Sequence, residues 1–179
     1  GALGGVDIAD LFGRTERRGG LEQFADALER LGHYYLEDEA GELVSAVALL
    51  YAGVPYRPGD RLWIARNGLL GGASQYPYLN HGMEGFHPAY YNVVEGQAEE
   101  NTHHYAGHLL ASYYLPLVSF VGTPVRELAQ GRHPQDPPRR YRLDTADILL
   151  GWVATYHAVA LRKGLPPSQL HVLVRKLGQ

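Results

Sequence analysis

The sequence contains no cysteine, which excludes disulfides, thiolate metal ligands and a cysteine nucleophile while leaving the redox compartment open. A field of one sign is missing too, since 16 Lys and Arg against 19 Asp and Glu leave a formal net charge of -3 with both signs intermixed. Nothing here draws a polyanion, so the reading has no nucleic acid among its partners. The longest apolar run, Leu43 to Val54, covers about 12 residues against the roughly 20 that cross a bilayer, and reads as a buried helix with no transmembrane segment expected. No basic stretch with an apolar core behind it opens the chain, and Gly1-Ala2-Leu3-Gly4-Gly5 reads as a processed end. The expectation is a soluble protein, cytoplasmic or exported after signal removal.

What the chain does hold is helical periodicity. Leu21, Phe24, Leu28 and Leu31 recur at spacings of three and four, with Glu22, Asp26, Glu29 and Arg30 on the other side. Leu43 to Ala52 is apolar on nearly every face and is bounded by Gly53 and Pro55. A helix from Ala98 to about Leu115 follows, with Pro116 as its end or kink, and Thr123-Pro124 opens a short helix through Ala129. Asp144 and Asp147 read as cap residues ahead of a helix over 148–163, and Pro166-Pro167 start a last one to Leu177. Arg61 to Ala65 is a short strand or a single helical turn. This predicts an all-α fold, a compact bundle of about five to seven helices with little or no sheet, as a single helical domain over 1–179. Trp63 and Trp152 read as core anchors.

Two stretches interrupt the pattern. Residues 68–97 are rich in Gly, Tyr and His without a sustained period and read as a long ordered loop. Residues 132–142, with three prolines and four arginines, read as an exposed connection.

Five of the nine histidines, His81, His87, His103, His104 and His108, fall within 28 residues, beside Glu84, Glu95, Glu99 and Glu100. On a helix His104 and His108 lie one turn apart on one face, and Glu100 lies one turn earlier on the same stripe. Three chemistries fit that stripe. Glu100, His104 and His108 can hold a divalent metal such as zinc, with His81, Glu84 or His87 completing the set. The same three residues can share proton transfer in a metal-free catalytic site. Alternatively, an i, i+4 histidine pair simply packs. Tyr105 stands where a His-Glu-x-x-His protease has its glutamate, and no second Glu-x-x-His accompanies Glu100-x-x-His103 as a di-iron bundle requires. Ser74 and Ser112 lack the setting of a serine nucleophile.

Tyr76, Tyr78, Tyr90 and Tyr91 flank the loop histidines and suit a stacking wall that binds a flat small molecule together with His81, His87 and His103, or else a clamp holding the loop to its own domain. His33, His133, His157 and His171 are isolated and read as structural or solvent-facing. Arg162, Lys163, Arg175 and Lys176 near the last two helix ends complement helix dipoles and need no phosphate partner.

The stretch Glu100-Asn101-Thr102-His103-His104-Tyr105-Ala106-Gly107-His108, followed by Asp147-Ile148-Leu149-Leu150-Gly151-Trp152-Val153-Ala154, resembles uncharacterised bacterial helical proteins in which an Asn-x-x-Arg-His-aromatic helix precedes an Asp-x-x-Leu-Gly helix. His103 stands where that pattern has arginine. The resemblance implies a helical fold and no established activity. Two functional expectations follow from the residues: a small bacterial hydrolase with a histidine-rich cleft formed by the 76–91 loop over the His104/His108 helix, or a non-catalytic module whose tyrosine-rich loop binds a small molecule or a protein.

Overall fold

In a computed structural model, the structure describes residues 2–3, 6–7, 20–55, 75–79, 81–91, 101–130 and 145–179, with the backbone alone for 2–3, 6–7 and 126–130. Their architecture is all-α. Six α-helices are described: α1 (Gly20–Gly32), α2 (Ala40–Ala52), α3 (Asn101–Tyr114), α4 (Pro116–Gln130), α5 (Thr145–Arg162) and α6 (Leu170–Arg175). The described strands are a two-residue antiparallel pair in which Ala2 faces Asp7 and Leu3 faces Val6. The Arg61 to Ala65 segment and the 132–142 connection lie outside the described residues, as do 68–74, 80 and 92–97 of the long loop.

The buried centre forms where the apolar stripes meet. Phe24, Leu28 and Leu31 of α1, Leu43, Val47 and Tyr51 of α2, Tyr105 and Leu109 of α3, and Leu150 and Ala154 of α5 are sealed from solvent in one cluster. Phe24 meets the rings of Tyr51 and Tyr105 edge-on, at 4.7 and 5.5 Å between centroids. As its even apolarity requires, α2 is buried on most of its surface. It stops at Gly53, whose φ of 64° closes the helix with an N–H bond to the Ala48 carbonyl.

Contacts between α3 and α5 fix their relative direction. His104 meets Asp147, His108 lies against Gly151 and Ser112 bonds Thr155, a constant offset along both helices that makes them run the same way. Leu115 turns the chain, and α4 folds back so that Ser119 meets Ser112 and Thr123 meets His108. Pro116 begins α4 where its missing N–H costs nothing. The short helix expected to open at Thr123-Pro124 is instead the second half of α4, with Pro124 in its interior. A proline there deprives the carbonyl four residues earlier of its donor. That carbonyl belongs to Phe120, and the Trp152 indole N–H supplies the bond at 3.2 Å. Trp152 is accordingly no core anchor: it lies 38% exposed, stacked on Phe120 at 5.2 Å.

The last segment is mixed, with 3-10 turns at Pro167–Gln169 and Lys176–Gly178 on either side of α6. It lies along α1, where Arg175 bonds Asp26 at 2.8 Å and Glu29 at 2.9 Å, and these carboxylates raise the guanidinium pKa.

Candidate functional site

The first turns of α3 carry the histidines, and the loop is fastened to those same turns. The His81 N–H donates to the Thr102 hydroxyl at 3.3 Å, and the Asn101 amide donates to the Tyr90 carbonyl at 3.0 Å. Tyr78 stacks on His103 with centroids 4.2 Å apart. The described part of the 76–91 loop thus lies against the first turn of α3, at Asn101, Thr102 and His103. Asn101, at the head of α3, is buried, so its amide needs the partner that Tyr90 provides.

His104 points across to α5. Its Nδ1 lies 2.8 Å from Asp147 Oδ1, with the two side chains 24% and 11% exposed. Asp147 is three residues into α5, in its first turn, where the helix dipole favours a carboxylate. Beyond the cap role read from the sequence, its side chain thus meets a histidine of another helix. Asp144 lies outside the described residues.

His108, one turn further along α3, faces a different environment. A Cβ added at Gly151 would stand 3.3 Å from both Cδ2 and Nε2 of His108 and 3.1 Å from Cγ2 of Thr123. A side chain there would push the ring and Thr123 back by a few tenths of an ångström. The other nitrogen, Nδ1, is 3.4 Å from Thr123 Oγ1, a long contact. Thr123 donates its single proton to the Ser119 carbonyl at 2.8 Å, so its oxygen can only accept from His108 Nδ1–H. Beyond it, the buried Ser112 hydroxyl sits 2.8 Å from Ser119 and 2.7 Å from Thr155, a setting that seals it from any substrate. His104, His108 and this hydroxyl cluster make a polar seam through the α3/α4/α5 junction.

The expected ligand set is only partly assembled. Glu100, Glu99 and Glu95 lie outside the described residues. Among the described residues no three His, Asp or Glu side chains converge where a metal ion could be held. His81 turns to α2, its Nε2 3.3 Å from the Tyr51 hydroxyl, and burial lowers its pKa to about 4. Burial also raises the Tyr51 pKa, so the phenol keeps its proton and donates it to the ring. His87 is exposed and uses Nδ1 to accept from the Ala89 N–H, capping the turn at 88–90, while its own N–H reaches the Leu177 carbonyl at 2.7 Å. Glu84 is exposed and bonds the Leu21 N–H through its backbone carbonyl. The four tyrosines divide likewise: Tyr76 and Tyr91 are exposed, Tyr78 covers His103, and Tyr90 is half-buried with its pKa raised by burial.

A buried polar pair that the sequence does not announce joins Tyr105 to His157, with the hydroxyl 2.8 Å from Nδ1. Burial raises the Tyr105 pKa and lowers that of His157 to about 4, so phenol donates to neutral imidazole. The signal for His104–Asp147 is the co-occurrence of the two quoted helix motifs, whose histidine and aspartate meet in space. Comparison of the chain with family models, with curated proteins and with solved structures gave no match.

Proposed function

We propose that the protein is a hydrolase in which His104, oriented by Asp147, is the general base of a cleft between the 76–91 loop and helix α3. The observation that carries this reading is the 2.8 Å contact between His104 Nδ1 and Asp147 on a histidine that still reaches solvent. With Nδ1–H donated to the carboxylate, Nε2 is the basic nitrogen, able to take a proton from an attacking water. Asp147 holds the tautomer and the ring plane and stabilises the imidazolium that forms. His108 and Thr123 fix the neighbouring turn, and Tyr78 on His103 forms a flat wall beside it.

Energetics support a use beyond packing. A carboxylate drawn out of water between helices carries a desolvation cost that aliphatic side chains avoid, and replacing fully buried charged pairs by them is often neutral or a gain of about 1–4 kcal/mol. A seam of polar groups is thus a poor choice for adhesion alone. The general-base reading is favoured over a two-histidine chelate because the His108 ring lies against Gly151 with Nδ1 toward Thr123, while His104 turns to Asp147.

The test is hydrolysis of p-nitrophenyl acetate and p-nitrophenyl phosphate by the full chain and its variants. His104→Gln is expected to lower the rate about 10²–10⁴-fold, and Asp147→Asn, which imposes the wrong tautomer, by a similar factor, both with unchanged circular dichroism. A wild-type rate no faster than buffer with both esters, or a His104→Gln rate equal to wild type, sinks the reading. Stoichiometric zinc in the purified protein that is lost on replacing His104 and His108 would put a metal hydrolase in its place.

A further inference from the structure

Helix α5 has a second face, independent of the site. While Asp147, Gly151 and Thr155 turn inward, Leu149, Trp152 and Tyr156 recur at spacings of three and four on its outer side. Beside them α4 presents Leu117, Val118, Phe120, Val121 and Val125, and the eight side chains are between 38% and 80% exposed. The Phe120–Trp152 stack joins the two stripes, and the indole N–H is already satisfied by the Phe120 carbonyl. At the centre of the patch the indole therefore needs no water, and the Tyr156 hydroxyl is the polar side-chain group left on it.

We infer that this α4/α5 face is the interface of a twofold homodimer, in which two antiparallel helices from each copy form a four-helix bundle. The α4 and α5 axes are antiparallel, since Thr123 neighbours Gly151 and Phe120 neighbours Trp152. A twofold axis then lays α4 of one copy against α5 of the other, apolar stripe on apolar stripe. Area agrees. With the three aromatic side chains on the order of 150–250 Å² each and the five aliphatic ones smaller, these exposures amount to several hundred Å², the scale of the about 800 Å² per partner that a stable interface buries. Charge agrees as well: from Leu115 to Val125 and from Ile148 to Leu161 there is no Lys, Arg, Asp or Glu. Charge-free centres mark interfaces between copies, whereas a membrane-surface helix sets Lys and Arg around its apolar face.

Sedimentation velocity on the full chain tests this. Wild type is expected to be dimeric at about 10 μM. Leu117→Glu combined with Val121→Glu, both on exposed positions, is expected to weaken association at least about 100-fold with an unchanged far-UV circular dichroism spectrum. Leu36→Glu, exposed but on the α1–α2 connection, is expected to leave the dimer intact. A wild-type monomer at about 100 μM, or a dimer indifferent to the paired Glu substitutions, overturns the inference. So does a monomer that sediments with phosphatidylcholine/phosphatidylglycerol vesicles, which would make a bilayer the occupant. Esterase rates read separately on the same variants keep the fate of this interface distinct from that of His104.

Discussion

His157 is held at 2.8 Å from the Tyr105 hydroxyl, with a pKa lowered by burial from 6.5 to about 4. In the unfolded chain the ring gains its proton near pH 6.5; in the fold it does so only near pH 4. Between those values the unfolded chain binds more protons, so the stability from neutral burial is complete above pH 6.5 and is lost as the pH falls toward 4. At about 1.4 kcal/mol per pKa unit, the loss for this ring approaches about 3 kcal/mol. His81 shifts in the same direction, but its more accessible ring is screened and contributes less. Urea unfolding at pH 7 and at pH 4.5 should show His157→Gln losing about 2 kcal/mol less than wild type over that span; equal losses would refute the assignment. None of this was legible at position 157 alone. An isolated histidine reads as structural or solvent-facing, and its partner lies 52 residues away, on another helix.

Between elements, the approach of α3 to α5 rests on Gly151, whereas Gly107 on α3 has, among the described residues, no neighbouring atom within 4 Å of where a Cβ would stand. The two glycines make opposite predictions. Gly107→Ala removes backbone freedom from the unfolded chain at no steric cost and should stabilise by about 0.5–1 kcal/mol. Gly151→Ala must displace His108 or Thr123 and should destabilise by about 1–3 kcal/mol. Chemical denaturation of both variants checks the pair, and a stabilised Gly151→Ala would sink the account of His108. At this scale the sequence was most readable where one stripe or one composition dominates, as in α1 and α2, whose apolar residues are buried as their spacing requires. It misled at Pro124, because a proline inside a helix and one in a first turn look alike until the replacement donor is known. That donor, Trp152, lies 32 residues beyond Phe120 on α5, and nothing around position 152 reveals that its indole serves α4. The histidine stripe was similarly half-legible. The i, i+4 spacing of His104 and His108 is real and both rings turn to α5, yet one meets a carboxylate and the other Gly151 and, on α4, Thr123, and spacing on one helix carries no information about what its neighbours present.

Across the whole molecule, the closing segment binds the bundle shut. Leu170, Val174 and Leu177 are buried against α1, and Arg175 ties the same face to Asp26 and Glu29. Burying three such aliphatic side chains stabilises by about 1.5–3 kcal/mol each, a sum comparable with the roughly 5–15 kcal/mol that holds a domain folded. Removing residues 166–179 should therefore abolish the cooperative thermal transition followed by circular dichroism. A truncated chain that still melts cooperatively would show that this segment is an accessory. The all-α class and the number of helices were open to reading because they depend on local periodicity, while this closure, like the loop held to α3, depends on contacts between distant parts of the chain. Near its end the polypeptide returns to where its helical part starts: Gly178 packs on the Leu21 side chain, and a Cβ there would stand 3.1 Å from Leu21 Cδ2. The described path from α1 to this segment thus comes back on itself, so a linker from Gly178 to Gly20 has only a short gap to span, and a chain permuted there is expected to keep the same packing.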